Sequence, residues 1–172
     1  SVSGGNNTAI GLDSLTNLTS GTLNTALGGS SLKAATTGGS NVAVGASALI
    51  ANTTASNNVA VGKFAMVSNT TGTENVAVGG NALDANTTAD ANTAIGYNSL
   101  TTNTTGAENT SVGQGSLRFN ETGSNNVAVG RNALEDNTAS NNTACGYKAL
   151  LQNTSGTQNT AVGAEALNTT TT

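Results

Sequence analysis

The residue types that most often perform catalysis or bind metals are few and scattered in this sequence. The 172-residue chain contains no histidine, a single cysteine and nine acidic residues. Without histidine it cannot build a Ser-His-Asp triad or a Cys-His pair, and zinc and haem sites lose their commonest ligand. The sequence therefore predicts a protein that is not an enzyme and that holds no cofactor and no metal ion.

The acidic residues follow no pattern that would bind calcium or hydrolyse glycosides. Calcium-binding β-rolls repeat Gly and Asp at fixed positions, and glycosidases need a pair of carboxylates across one bond. Here no position of the repeat described below holds more than two acids. They are Asp13, Glu74, Asp84, Asp90, Glu108, Glu121, Glu135, Asp136 and Glu165.

Asn-x-Ser/Thr sequons are a further candidate for chemistry, because they accept N-linked glycans in secreted proteins. Asn, Thr and Gly in the same segments are also typical of turns, and this second interpretation is favoured here. The sequons include Asn52, Asn69, Asn86, Asn103, Asn120 and Asn153.

The charge and composition of the chain exclude further classes. Five Lys and Arg against nine Asp and Glu give a net charge of -4, so no face that neutralises nucleic-acid phosphates is expected. Thr, Asn and Gly number 30, 26 and 22, which resembles a disordered composition. Proline is absent, however, and the 35% of hydrophobic residues are placed periodically.

The elements that position all these residues come from an internal repeat. The pentapeptide N-[TV]-[AS]-[VILC]-G occurs ten times at a regular 17-residue spacing, which one 16-residue step interrupts. Positions 1 to 17 of each unit are counted from its leading Asn. These asparagines are Asn7, Asn24, Asn41, Asn58, Asn75, Asn92, Asn109, Asn126, Asn142 and Asn159.

Within each unit the pattern predicts two short strands. The apolar residues at positions 2 and 4 share one face of the first strand, the small residue before position 9 belongs to the second, and N-T-T-G segments form turns. Stacked repeats of this kind predict an all-β parallel β-solenoid or β-roll of about ten 17-residue coils. Residues 7–167 form the repeat domain, and residues 1–6 and 168–172 form polar edges.

Three ranks of identical positions are expected to build the interior. The leading asparagines form a ladder that satisfies their amides along the stack. The position-4 residues form an interior ladder in which Cys145 is a buried, inert thiol: Ile10, Leu27, Val44, Val61, Val78, Ile95, Val112, Val129, Cys145 and Val162. Position 9 supplies the second apolar ladder: Leu15, Leu32, Leu49, Met66, Leu83, Leu100, Leu117, Leu134, Leu150 and Leu167.

The apolar content of one coil is small for the length of chain that the coil must order. Two or three apolar side chains contribute about 4 to 7 kcal/mol, whereas ordering each residue costs roughly 1.5 kcal/mol. Small residues at positions 3, 5 and 8 are suited to the close approach of another chain. A trimeric or otherwise intertwined assembly is therefore expected rather than a lone solenoid.

The repeat N-[TV]-A-[VI]-G-x-x-[AS]-L over residues 7–167 resembles the head repeat of YadA-like trimeric autotransporter adhesins and related phage and bacterial tail-fibre repeats. This resemblance implies a homotrimeric, left-handed parallel β-roll whose position-4 side chains face the trimer interior. The unit here is longer than the usual adhesin repeat, and no neck, coiled-coil stalk or membrane anchor is recognised.

The predicted function is a structural extracellular fibre, either the shaft or the head of an adhesin. It acts as a rigid spacer on a cell surface, a virion fibre or an extracellular filament, without membrane insertion or nucleic-acid binding. Positions 6 and 7 carry Phe64, Tyr97, Tyr147 and three basic residues, which either contact a host-cell or surface receptor or are simply solvated.

Two alternative functions remain open. Threonines at positions 2, 13 and 14 form ranks that are able to order water, so an ice-binding solenoid is one alternative. Open β-edges at the two ends of the stack make end-to-end assembly into a filament the other.

Overall fold

The computed structural model describes residues 4–170 and contains twelve short strands and no helix in that range. The first nine strands and the eleventh form a ten-stranded parallel sheet in the order of the chain, and the tenth pairs with the twelfth in parallel. The strands are β1 (Thr8–Ile10), β2 (Thr25–Leu27), β3 (Val42–Val44), β4 (Val59–Val61), β5 (Val76–Val78), β6 (Thr93–Ile95), β7 (Thr110–Val112), β8 (Val127–Val129), β9 (Thr143–Cys145), β10 (Gln152–Asn153), β11 (Thr160–Val162) and β12 (Thr169–Thr170).

Every strand of the large sheet pairs with the next coil in the register of the repeat. Val42 lies opposite Val59, for example, and Val59 lies opposite Val76. The 16-residue step keeps this register, because Val127 lies opposite Thr143. The predicted all-β parallel solenoid is therefore confirmed.

The prediction of a second strand around position 9 of each coil is wrong. The position-9 residues that were assigned to it all have φ between 48° and 53°, which is the left-handed region. So short a coil must turn sharply after its strand, and this conformation makes the turn while the side chain points inward. Position 5 is also part of this turn, since Gly45 has φ +134° and a Cβ there would lie 2.6 Å from the carbonyl oxygen of Gly62.

The interior of the solenoid consists of small residues, the long apolar side chains at position 9 and asparagine amides. The position-3 alanines from Ala26 onward are buried, and Ser111 is buried in the same rank. At position 9, Leu15 through Leu150 are buried as predicted, while Leu167 in the last coil is 51% exposed. Asparagines fill the remaining width.

The interior position predicted for the position-4 ladder is wrong for the single chain. None of its members is buried, and Ile10 and Val162 are 60% and 73% exposed. Positions 1 and 3 point inward, so strand alternation turns positions 2 and 4 outward. This applies to Ile10, Leu27, Val44, Val61, Val78, Ile95, Val112, Val129, Cys145 and Val162, and it leaves the Cys145 thiol exposed.

Candidate functional site

The position-1 asparagines connect the coils through their side chains. The Oδ1 atom of Asn75 accepts a hydrogen bond from the backbone N–H of Asn92 at 2.9 Å, and its Nδ2 donates to the Ala89 carbonyl at 2.8 Å. The same Oδ1 contact links each of the ten asparagines to the next, including Asn126 to Asn142 across the short step. Each amide therefore satisfies a buried N–H that the sheet leaves unpaired.

A second buried asparagine rank lies at position 12, where the sequence predicted only a turn. Asn86 Nδ2 donates to Asn69 Oδ1 at 2.8 Å and to the Ala89 carbonyl at 3.1 Å. That carbonyl also accepts from Asn75, so both asparagines meet on one backbone oxygen. The signal for this rank was the recurrence of Asn at position 12 in seven successive coils, from Asn52 to Asn153.

The burial of this rank bears on the six sequons that lie at position 12. Their asparagines have 0% exposed surface, and their Nδ2 atoms are engaged in hydrogen bonds. A glycan at any of these positions would require the coil to open. The residues concerned are Asn52, Asn69, Asn86, Asn103, Asn120 and Asn153.

The outward side of the ten-stranded sheet forms one continuous surface, which we call the sheet face. It consists of the side chains at positions 2 and 4 of all ten strands, which are Thr, Val, Ile, Leu and one Cys. None of the chain's fourteen charged residues lies on it. Nine steps of about 4.8 Å make the face about 43 Å long, and positions 2 and 4 lie about 7 Å apart.

The threonines at positions 13 and 14 lie at a corner and differ in their environment. Thr36 and Thr70, at position 13, donate hydroxyl hydrogen bonds to the position-13 carbonyl of the next coil, at 3.2 and 3.0 Å. Thr37 and Thr71, at position 14, are exposed beside the inward-pointing Gly38 and Gly72. The corner therefore presents a single exposed rank rather than a flat double one.

The aromatic side chains all lie at the surface. Phe64, Tyr97, Phe119 and Tyr147 are 37 to 55% exposed. A cation lies over three of the rings: Lys63 over Phe64 at 4.7 Å, Arg118 over Phe119 at 4.9 Å and Lys148 over Tyr147 at 5.2 Å.

Coils are numbered 1 to 10 along the chain, from the one that begins at Asn7. Most of the aromatic and basic residues lie at positions 6 and 7 of coils 4 to 9, which we call the corner ridge. It carries Lys63, Phe64, Tyr97, Arg131, Tyr147 and Lys148 and contains no carboxylate. The two basic residues elsewhere are ion-paired, Lys33 with Asp13 at 2.9 Å and Arg118 with Glu135 at 3.7 Å. In residues 4–170 the three ridge cations have no such pair.

Residues 4–170 contain no pocket and no group of three metal-ligating side chains. No helix in this range has the length and apolar character needed to cross a membrane. Comparison of the chain with protein-family models, with curated proteins and with solved structures gives no match. The candidate sites of this molecule are therefore its two surfaces, the sheet face and the corner ridge.

Proposed function

We propose that this chain is a shaft segment of an extracellular fibre and that it assembles with copies of itself, as a trimer, through the sheet face. The observation that carries the proposal is the character of that face. Twenty outward positions on a parallel sheet hold aliphatic or Thr side chains and one Cys, and no charge. Everywhere else the outward positions vary and include all fourteen charged residues.

The general behaviour of parallel sheets supports a covered face. All-parallel sheets occur almost only where both faces are buried, whereas in this chain one face is open. A strip about 43 Å long and about 10 Å wide has a plan area on the order of 400 Å², within the range of functional apolar patches on monomeric proteins. A second copy of the same strip is complementary in polarity, since neither carries a charge.

The interior of the coil supports the role of rigid spacer. Each coil is joined to the next by backbone hydrogen bonds and by two asparagine ladders, and the described residues contain no buried side-chain polar atom without a partner. A stack connected in this way resists bending and local opening better than one held by apolar contacts alone. The predicted extracellular setting agrees with this rigidity.

The proposal is tested by placing one charge on the sheet face. Val61→Lys adds an ammonium group to the middle of the face, and Val67→Lys adds one at position 10, outside it; both valines are half-buried in the single chain. Sedimentation velocity is expected to show dissociation of the Val61→Lys protein and an unchanged assembly for Val67→Lys. Equal behaviour of the two variants, with intact circular dichroism spectra, would contradict the proposal.

Ice binding is the second candidate, and the position-2 rank is the observation that favours it. Six of its ten residues are Thr, and they stand on a charge-free sheet as three pairs in register, Thr8 with Thr25, Thr93 with Thr110 and Thr143 with Thr160. Such an array is able to order water only while it is uncovered. A monomer with thermal hysteresis that is lost in Thr93→Lys would establish ice binding and overturn the shaft proposal, whereas an assembly without hysteresis would exclude ice binding.

A further inference from the structure

The corner ridge differs in charge from the rest of the chain. The protein has a net charge of -4, yet positions 6 and 7 of coils 4 to 9 carry three cations and no carboxylate. Lys63, Arg131 and Lys148 form no salt bridge within residues 4–170. Glu135 contacts the side chain of Asn132 from position 10, but Arg118 lies 3.7 Å from this carboxylate. The ridge is therefore a local basic strip on an acidic rod.

The aromatic rings of the ridge lie at the surface, with Lys63 over Phe64 and Lys148 over Tyr147. Tyr97 is 55% exposed, and its ring lies over Gly80 of the preceding coil, where a Cβ would be 3.3 Å from the Tyr97 Cδ2 atom. The missing side chain leaves room for the ring beside the rod, and more than half of the Tyr97 surface stays exposed. Tyr147 stands in the same rank three coils further along, about 14 Å away. The two rings are aligned along the axis rather than packed together.

From these features we infer that the corner ridge binds an extended anionic polysaccharide along the axis of the rod. Aromatic faces stack on sugar rings, and ammonium and guanidinium groups pair with carboxylate or sulfate groups. Arg131 lies between Tyr97 and Tyr147 in the same rank, so charge and stacking alternate along one line. The step of about 4.8 Å between coils is close to the length of one sugar unit in an extended chain.

The shape of the ridge suits a linear polymer better than a compact ligand. The structure has no pocket in residues 4–170 that would enclose a small molecule, whereas the ridge runs over six coils. Asn81 and Asn98 at position 7 add amide groups beside the rings. This inference goes beyond the shaft proposal and uses a different surface, so the two fail independently.

Binding is tested with heparin, which is sulfated, with polygalacturonate, which is carboxylated, and with dextran, which is neutral. Isothermal titration calorimetry at low and physiological salt is expected to show binding of one or both anionic polymers and none of dextran. Which polymer binds identifies the anionic group. Absence of binding to both anionic polymers at low salt would overturn the inference.

Three variants separate a built surface from general attraction between charges. Lys63→Gln/Arg131→Gln/Lys148→Gln should weaken binding by about tenfold, since three exposed ion pairs are lost. Tyr97→Ala/Tyr147→Ala should weaken it by about fivefold at unchanged charge.

The matched control is Lys33→Gln/Phe119→Ala, which removes one cation and one exposed ring from positions 10 and 11, outside the ridge. It should bind as the unmodified chain does. An equal loss in this control, or no loss in the tyrosine variant, would contradict the inference.

Discussion

Removal of one buried amide, in Asn75→Ala, tests the structural role of the asparagine ladders. Asn75 has 0% exposed surface, and the backbone N–H of Asn92 donates to its Oδ1 atom at 2.9 Å. Truncation leaves that N–H buried without a partner, which costs about 1 to 3 kcal/mol. It also removes the hydrogen bond to the Ala89 carbonyl, worth about 1 kcal/mol, although Asn86 still donates to that oxygen. Together these two contributions predict that Asn75→Ala lowers the free energy of unfolding by about 3 kcal/mol.

The second ladder should be less costly to interrupt. In Asn86→Ala the neighbouring Asn103 Nδ2 still donates to the Gly106 carbonyl at 2.9 Å, so the main loss is the donor to Asn69 Oδ1. We expect Asn86→Ala to lower the free energy of unfolding by about 1.5 kcal/mol. In the double variant the Ala89 carbonyl loses both donors. The loss of unfolding free energy in the double variant should therefore exceed the sum of the two single losses by about 1 kcal/mol or more.

Urea denaturation followed by circular dichroism, at one fixed protein concentration, measures these losses. Asn17→Ala is the matched control, because Asn17 is exposed and position 11 is naturally Ala in three other coils, as at Ala34. The reasoning is refuted if Asn75→Ala lies within about 0.5 kcal/mol of this control, or if Asn75→Ala and Asn86→Ala are additive.

Single side chains provide three further tests. Leu100→Ala should cost about 3 kcal/mol in urea denaturation because the leucine is fully buried, whereas Leu167→Ala, at a 51% exposed residue, should cost much less. A short bismaleimide should link pairs of chains through the exposed Cys145 if parallel copies meet at the sheet face; only monomers on a denaturing gel would contradict this. Burial raises the pKa of Asp84, so its charged form is disfavoured on folding; Asp84→Asn should raise the urea midpoint at pH 7, and this gain should vanish below about pH 3.8.

The repeat predicted the solenoid because a fixed spacing fixes the register. Once each leading Asn must stack on its counterpart in the next unit, parallel pairing such as that of Val42 with Val59 follows. The spacing also predicted that positions 1 and 3 share a face, as Asn75 and Ala77 do. These properties depend only on the repeat spacing and on local alternation, which the sequence displays directly.

Alternation alone does not predict which face of the strand in each coil points into the interior. Apolar side chains usually point inward, and this rule placed Val61 and Cys145 inside the coil. In the structure Ala60, the position-9 leucines and asparagine amides fill the interior, and the position-4 side chains lie on the opposite face of the strand. In the same way, Asn52 looked like a turn residue because its segment has turn composition, although its amide points into the coil.

The central claim is that the charge-free sheet face joins copies of this chain, and the mass of the unmodified protein in solution tests it most directly. Sedimentation equilibrium over a range of protein concentrations gives this mass without assumptions about shape. One chain has a mass of 16.7 kDa. The proposed trimer should have three times this mass. A mass that stays at 16.7 kDa over the whole range would contradict it.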